Sequence, residues 1–322
     1  MGSGGLKTTG KPRRRKRRTG KKSWERPLPP IDRSALALPD DPDFIFRFAV
    51  YGDNQRGVPV HRRIAKAILI SGAEVVLHVG DYVQDGKNSG QWDEQFLLPA
   101  RRLLERTRFL GVPGNHDKNS PRYYEILRPP GGEPRFKAVR DPVAFFGLDS
   151  NRGLSRQAGW LDGQLSDTGE PWKVVFFHEA PYSSSWPWPG GALKTRKHFL
   201  PVLEKHRVDL VFAGHIHNYE RFHKAGIPYI ITGGGGDTLA KPEQLKNPYL
   251  VWSAKKHHFI TADVYPGRIE VLARDPAGVP FDGVIVEKES EPREIGLETR
   301  RRYKGPRPKS FPNSLGGRNH FR

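Results

Sequence analysis

Residues 44–53 read FIFRFAVYGD and residues 74–81 read EVVLHVGD, two short apolar runs that each end in a Gly-Asp pair. Their β-branched and aromatic residues are typical of buried strands. Residues 60–70 place apolar side chains at helical spacing, as do residues 91–106 before a third run at 109–115, FLGVPGN. This β-α-β-α-β order predicts a mixed α/β fold with helices on the faces of the sheet.

The second half of the chain continues this alternation and then changes to strands alone. Further strands are predicted at residues 143–148, 173–177 and 208–213, with helices at 155–165 and 196–207. After Gly226 only strand patterns follow, at residues 227–232, 259–265, 268–273 and 283–287. Because no helical spacing separates these last strands, we expect them to form a second, largely antiparallel sheet. The predicted architecture is an α/β sandwich of two packed mixed β-sheets flanked by helices, in one domain spanning residues 40–290.

The net charge of +19 comes from the two ends of the chain. Residues 1–22 carry ten Lys or Arg and no acidic residue, and residues 300–322 carry eight more, again without an acid. The sequence between them has 36 basic and 35 acidic residues and is nearly neutral. Both ends are poor in apolar side chains, so we predict disordered basic tails at residues 1–39 and 291–322.

Two explanations of these tails stay open. They serve only solvation, or they contact nucleic acid or another polyanion without sequence specificity. No run of about 18 apolar residues occurs, so we expect no membrane span. The basic N-terminal residues are followed by PLPPID at 27–32 instead of an apolar segment, which does not fit a secretory signal. The sequence therefore favours a cytoplasmic location, with a mature secreted form as the alternative.

Five predicted strands are followed at once by side chains that bind metals. The clusters are Gly52-Asp53, Gly80-Asp81, Gly114-Asn115-His116-Asp117, Phe177-His178 and Gly214-His215-Ile216-His217. The carboxyl ends of strands in an α/β sheet meet at one crevice, and the glycine that begins four of the clusters permits a sharp turn there. One Gly-Asp pair is usually only a turn, whereas five such clusters indicate a metal site. Cysteine is absent, so its ligands must be oxygen and nitrogen.

The order of these clusters resembles the calcineurin-like metallophosphoesterases, and within them the purple acid phosphatase branch. The second likeness is carried by residues 157–165 (QAGWLDGQL), 178–182 (HEAPY), 217–221 (HNYER) and 232–236 (TGGGG). It extends over about residues 44–240. The resemblance implies the four-layer architecture of that family.

The resemblance also implies a role for each candidate residue. Six side chains would hold two metal ions, with Asp81 bridging both, Asp53 and His217 completing one site, and Asn115, His178 and His215 completing the other. His116 would face the phosphate as an acid or hydrogen-bond donor, oriented by Asp117. Two cations about 3.5–4 Å apart would clamp the attacking and leaving oxygens and turn a bound water into hydroxide. This mixture of ligands suits Mn, Fe or Zn, with Mn or Fe favoured.

Two positions depart from the family pattern. Gln55 stands where many metallophosphoesterases have the histidine of Asp-x-His, and Gln84 stands where purple acid phosphatases have a tyrosine. The first change removes a strong donor, so we expect one metal to be bound more weakly, with the glutamine amide or water filling the gap. The second removes the tyrosinate, and Tyr82 would point in another direction from its place after Asp81. We therefore expect no purple colour.

These features predict a phosphoric ester hydrolase of the acid phosphatase type that acts on phosphate monoesters. Two alternatives stay open. A phosphodiesterase or nuclease could use the same site, recruited to nucleic acid by the basic tails. A polyanion-binding protein could instead carry a degraded site, since Gln55 and Gln84 replace residues that the family uses.

Several other polar residues are predicted to be structural. His78 is expected to be packed, and the histidines outside the five clusters to be exposed or structural. Asp149, Ser150 and Asn151 follow a strand but have turn chemistry. The loop at residues 186–191, WPWPGG, follows His178 and is either a rim of the substrate cleft or an ordinary packed loop.

Overall fold

The computed structural model describes residues 38–185, 191–288 and 293–294, together with Met1. The two predicted basic tails lie almost entirely outside these residues, as does most of the WPWPGG loop. Within the described part of the chain, no helix is long and apolar enough to cross a membrane.

The first of two central sheets contains the amino-terminal and carboxyl-terminal strands. Its members are β1 (Phe46–Tyr51), β2 (Val75–His78), β3 (Arg108–Gly111), β11 (Phe259–Val264), β12 (Arg268–Arg274), β13 (Pro280–Glu287) and β14 (Arg293–Glu294). Their order is β14-β13-β12-β11-β1-β2-β3. β1, β2 and β3 are parallel, and the remaining pairs are antiparallel.

The second sheet contains the strands from the middle of the chain. Its members are β4 (Phe136–Arg140), β5 (Val143–Gly147), β6 (Trp172–Glu179), β7 (Leu210–Gly214), β8 (Tyr219–Lys224), β9 (Ile227–Thr232) and β10 (Leu250–Ala254). Their order is β10-β8-β9-β7-β6-β5-β4. β5, β6, β7 and β9 run parallel, so both sheets are mixed, as the sequence predicts.

Helices cover the outer face of each sheet. They are α1 (Val58–Ile70), α2 (Ser89–Gln91), α3 (Leu98–Arg106), α4 (Pro121–Leu127), α5 (Leu154–Ser166), α6 (Gly191–His198) and α7 (Leu200–Lys205), with a π-helical segment (Trp92–Leu97) and a 3-10 turn (Pro130–Gly132). α1 and α3 pack on the first sheet, and α5 and α7 on the second. The predicted four-layer sandwich is therefore confirmed.

Alternate side chains of β1 point to opposite faces of the sheet, so this strand contributes to two hydrophobic cores. Phe46, Phe48 and Val50 point between the sheets, where the ring centroid of Phe48 lies 5.3 Å from that of Phe145. Ala49 belongs to the core under α1 and α3. Successive side chains of a strand point to opposite faces, so a strand buried on both sides is a continuous apolar run.

The prediction that the last strands form a separate sheet is wrong. β11 pairs antiparallel with β1, placing Val264 opposite Phe46, and β9 lies inside the second sheet between β8 and β7. A buried ion pair of Arg47 with Asp263 joins β1 to β11. β14 falls within the predicted carboxyl-terminal tail and pairs with β13. A strand pattern specifies which residues are buried, but not which distant strand lies alongside.

Candidate metal centre

Loops at the carboxyl ends of five strands meet at one end of the two sheets. β1, β2, β3 and β7 supply four ligand-bearing loops, and β6 supplies His178 from within its last residues. The structure brings the six predicted ligands together there: Asp53, Asp81, Asn115, His178, His215 and His217. Asn115 is exposed and His116 is half-buried, so the site opens to solvent on the side of the β3 loop.

One group of potential ligands lies on the side of β6. Asp81, His178 and His215 each offer an atom, and these atoms lie within 4.8 Å of one another. The Oδ1 atom of Asn115 lies 2.9 Å from both His178 Nε2 and His215 Nδ1. Two imidazole nitrogens, an amide oxygen and a carboxylate oxygen therefore surround one small volume.

A second group lies beside the first and shares one of its members. Asp53, Asp81 and His217 also offer atoms within 4.8 Å of one another. His217 Nε2 lies 3.5 Å from Asp53 Oδ1. Because Asp81 belongs to both groups, its carboxylate has the position that a residue bridging two cations needs.

The backbone is strained at three of these residues. Asp53, Asp81 and His215 have φ angles of 59°, 57° and 69°, in the left-handed region that residues other than glycine seldom adopt. Gly114 and Gly214 permit close approach, since a Cβ atom would lie 2.1 Å from Asp81 Oδ1 and 2.4 Å from Asp53 Oδ2, respectively. The glycines that precede the candidate ligands are thus required by the packing of the site itself.

Backbone carbonyl groups fix the orientation of two histidine rings. His178 Nδ1 lies 2.8 Å from the carbonyl oxygen of Val79, and His217 Nδ1 lies 3.1 Å from that of Thr238. A carbonyl only accepts, so each Nδ1 carries the proton and donates it. When these rings are neutral, each therefore directs the lone pair of Nε2 into the site, which is the arrangement of a metal-binding histidine.

Buried carboxylates dominate the electrostatics of the site. Burial opposes the charge of His178, but Asp81, Asp53 and Glu179 outweigh it and raise the pKa of His178 to about 10. Burial and the nearby His178 lower the pKa of His215 to about 3. Burial also raises the pKa of Asp53. Buried negative charge is costly unless it is paired or coordinates a metal, so the donor set fits cations.

Gln55 is fully buried, and neither polar atom of its amide has a hydrogen-bond partner among the described residues. It follows Asp53 by two positions, where the family pattern has a metal-binding histidine. A buried amide without partners is costly, and such groups in native proteins often have a functional reason. This observation supports the expectation that the Gln55 amide would be a ligand of the metal ion held by Asp53.

Substitution of Gln55 should change the affinity of one metal site and leave the other unchanged. We expect Gln55→His to tighten the weaker site on the order of tenfold, because imidazole is a better donor than an amide for first-row metals. Gln55→Ala should weaken the same site. Titration with Mn²⁺ followed by calorimetry measures both. Two equally tight sites in the unsubstituted protein, or equal affinities in all three proteins, would contradict this assignment.

Tyr82, which directly follows the candidate bridging residue Asp81, does not point toward the candidate metal ligands. Tyr82 is fully buried, and its ring stacks on His78 with a centroid separation of 3.9 Å. It packs in the core under α1 and α3. At the position of the family's tyrosine, Gln84 instead contacts His116, with 3.3 Å between Nε2 and Nδ1. We therefore expect the protein loaded with Fe(III) to show no visible tyrosinate charge-transfer band, whereas a purple sample would contradict this.

The expected contact between His116 and Asp117 is replaced by other hydrogen bonds. His116 Nδ1 lies 2.9 Å from the carbonyl oxygen of Gln84. The carboxylate of Asp117 instead accepts from the backbone N–H groups of Asp81, Tyr82 and Gly114. Asp117 therefore organises the two loops, and the direct orientation of His116 that we inferred for it is corrected. The loop turns its carboxylate inward, away from the ring of its neighbour.

Loss of the Asp117 carboxylate should destabilise the protein. Asp117→Ala would leave three buried backbone donors without partners, and we expect a loss of about 4 kcal/mol in the free energy of unfolding. Asp117→Asn keeps one acceptor oxygen and should lose less. Urea unfolding measures the difference, with Asp85→Ala, at a half-buried position, as a control whose midpoint stays near that of the unsubstituted protein. Equal stability of Asp117→Ala would refute this role.

Three further polar residues near the centre were not singled out as functional from the sequence. Asn54 donates to the carbonyl groups of Tyr82 and Gln95, and its Oδ1 atom lies 2.7 Å from His78 Nε2. His78 is thus packed, as predicted, and supports the loop after β1. Glu179 Oε2 is buried without a hydrogen-bond partner among the described residues and lies 3.8 Å from His215 Nε2. Its position directly after His178 was the only sequence signal.

The chain folds as a sandwich of two mixed sheets with candidate metal ligands at the strand ends. Residues 46–219 match the family model for calcineurin-like phosphoesterases, and the chain belongs to that family. Its members act on phosphate esters and use divalent metal ions. The two-sheet sandwich agrees with this membership.

Several relatives are named purple acid phosphatases, which confirms the predicted resemblance. Purple acid phosphatase 5 of Arabidopsis thaliana is 27% identical over 203 residues, 60% of this chain and 49% of that protein. Probable inactive purple acid phosphatase 27 of the same plant is 22% identical over 236 residues, 58% of this chain and 38% of that protein. The chain thus spans about half the length of these relatives or less.

A solved structure shows the same fold. The purple acid phosphatase from seeds of yellow lupin (Lupinus luteus) superimposes with a TM-score of 0.63 at 16% sequence identity. The match covers 75% of this chain and 53% of the lupin chain. The two-sheet architecture is therefore shared even where few residues are identical.

Proposed function

We propose that this protein hydrolyses phosphate monoesters at a dinuclear metal centre. Asp53, Asp81 and His217 would hold one ion, and Asp81, Asn115, His178 and His215 would hold the other. The observation that carries the proposal is the position of Asp81 in both ligand groups. We propose Mn, Fe or Zn as the metal, since the donors are carboxylate, amide and imidazole.

The two ions, when bound, would stabilise negative charge on the transferring phosphoryl group and activate a water molecule for in-line attack. The protein's own residues supply orientation and a proton. The rings of His178 and His217 are held by the carbonyl groups of Val79 and Thr238, which keeps both Nε2 atoms directed at the site. This preorganisation lowers the cost of assembling the centre.

His116 is the proposed proton donor to the leaving group. Its backbone N–H donates to Asp81 Oδ1 at 2.8 Å, which keeps the residue beside the candidate metal bridge. Its Nδ1 atom faces the carbonyl oxygen of Gln84 at 2.9 Å. Nε2 is therefore the nitrogen left to donate a proton or a hydrogen bond to the leaving oxygen.

A panel of three substrates tests the proposal. p-Nitrophenyl phosphate, bis(p-nitrophenyl) phosphate and single-stranded DNA should be assayed with Mn²⁺, Fe²⁺, Zn²⁺ and Co²⁺ supplied separately. We expect the monoester to have the highest kcat/KM. Preference for the diester or for DNA would favour a phosphodiesterase or nuclease. Absence of turnover with every metal would favour the polyanion-binding alternative, in keeping with a relative that is named as probably inactive.

The basic tails are proposed to give weak, non-specific contact with nucleic acid or another polyanion. This proposal rests on their composition, with ten basic residues in 1–22 and eight in 300–322. Binding by counterion release weakens steeply as salt concentration rises. Retention on heparin should therefore fall with salt and be lost when residues 1–22 and 300–322 are removed. Retention that does not respond to salt would defeat the proposal.

A further inference from the structure

A cavity of about 860 Å³ lies next to the β3 loop, which carries the candidate ligand Asn115. One of its lining residues, Asn151, donates from Nδ2 to the carbonyl oxygens of Pro113 and Gly114, at 3.3 and 3.2 Å. These two residues immediately precede the candidate ligand Asn115. The cavity therefore adjoins the candidate metal centre through the β3 loop.

Lys and Arg side chains outnumber acidic ones in the lining of the cavity. Four basic side chains line it, and two of these have acidic partners: Arg135 lies 2.9 Å from Glu133, and Arg152 lies 3.4 Å from Asp149. Arg156 and Lys194 are exposed. In the described part of the chain, neither of their side chains forms a hydrogen bond or a close ion pair. Two cations are thus available to an anion in the cavity.

The first turn of α5 also favours an anion in the cavity. α5 begins at Leu154, and its N-cap residue is Gly153, which has no side chain that could accept from the first N–H groups of the helix. Both residues line the cavity. The backbone N–H groups of a first helical turn favour anions. The backbone and the basic side chains therefore both favour a negatively charged ligand.

We propose that this cavity binds a second anionic group, carried by the leaving group of the substrate. The inference rests on the proposed phosphatase function and specifies its substrate class: a small phosphate monoester that bears another phosphate or a carboxylate. The reacting phosphate would lie at the metal centre, while Arg156 and Lys194 bind the second anion. The volume is that of a small-molecule site, which favours a metabolite-sized leaving group over a polymer.

Two pairs of substrates, each differing in one anionic group, test the proposal. Glycerol 2-phosphate is compared with 2-phosphoglycerate, which adds a carboxylate, and fructose 6-phosphate with fructose 1,6-bisphosphate, which adds a phosphate. The metal-loaded protein should have the higher kcat/KM for the more charged member of at least one pair. The pair that responds identifies the anion. Equal kcat/KM values within both pairs would overturn the proposal.

The variant Arg156→Gln/Lys194→Gln should lower that kcat/KM ratio about tenfold, because two charge-assisted contacts are lost at a partly exposed site. Lys197→Gln, on the same helix as Lys194 but outside the cavity, should keep the ratio of the unsubstituted protein. An unchanged ratio in the double variant would also overturn the proposal. So would a change confined to hydrolysis of single-stranded DNA, which would assign the cavity to a polymer.

A binding measurement separates this inference from the proposed function. Calorimetry with the Mn²⁺-loaded His116→Ala protein, whose turnover should be slow, compares the affinity of the two members of each pair. Tighter binding of the more charged member, lost in the Arg156→Gln/Lys194→Gln background, would support an anion site in the cavity. It would do so even if the unsubstituted protein hydrolysed neither substrate of the pair. Equal binding together with normal hydrolysis would refute the cavity proposal and leave the phosphatase function standing.

Discussion

The variant Asp81→Asn should bind fewer than two metal ions per chain and lose about three orders of magnitude in phosphatase activity. Asp81 is the only residue that belongs to both groups of candidate ligands within the described part of the chain. An amide lacks the negative charge that a bridge between two cations requires. Loss of the metals would remove several kcal/mol of charge stabilisation in the transition state, and each 1.4 kcal/mol corresponds to about a factor of ten.

Metal content by mass spectrometry and the rate with p-nitrophenyl phosphate measure this result together. Asp85→Asn is a matched control, since Asp85 lies four residues further along and binds the side chain of Lys118 at the surface. It should keep both metals and full activity. An Asp81→Asn protein with two metals per chain and an unaltered rate would contradict the role of Asp81.

The variant His116→Ala should keep both metals and lose about 10²- to 10⁴-fold in kcat, the usual range for a general acid. The loss should be larger for an alkyl phosphate than for p-nitrophenyl phosphate, because an alkoxide leaving group needs the proton more than nitrophenolate does. A purely structural residue would slow both substrates equally. The comparison of leaving groups therefore distinguishes proton donation from general disruption of the site.

His206→Ala is a suitable control for this variant. His206 Nε2 lies 2.6 Å from Asp162 Oδ1 in α5, and His206 has no part in the candidate site. Its removal should leave kcat and metal content as they are. If His116→Ala lost metal, His116 would be reassigned as a ligand. If it kept both its metal and its rate, the proposed proton donor would have to be another group.

The candidate site was largely predictable because its residues follow a local rule. Asp53 and Asp81 each follow a glycine at the end of an apolar run, and the His215 cluster does the same after β7. Local sequence is sufficient to locate strand ends, and parallel strands bring their carboxyl ends to a common edge. The meeting of these residues therefore required no knowledge of distant contacts.

Features that depend on side-chain direction were not predictable in this way. The carboxylate of Asp117 turns toward the backbone of Asp81, Tyr82 and Gly114, and this follows from the path of two loops that only the fold specifies. The same is true of Asn54, whose amide reaches the loop after β2. Sequence spacing places such residues near the site but does not say which partner each one binds.

The pairing of strands that are distant in the chain also could not be predicted from the sequence. β11 joins β1 across more than 200 residues, and the Arg47–Asp263 ion pair that spans them has no signature in either strand alone. The cavity beside α5 likewise combines segments around Glu133, Asp149 and Lys194 that are distant in the chain. Such features arise from tertiary packing, whereas hydrophobic periodicity reports only on local structure.

A crystal structure of the protein grown with Mn²⁺, with anomalous differences measured at the manganese edge, would locate the bound ions directly. We expect two peaks about 3.5–4 Å apart on either side of Asp81. One peak should lie among Asn115, His178 and His215, and the other beside Asp53 and His217. A single peak, no peak, or peaks bound by other side chains would contradict a dinuclear centre.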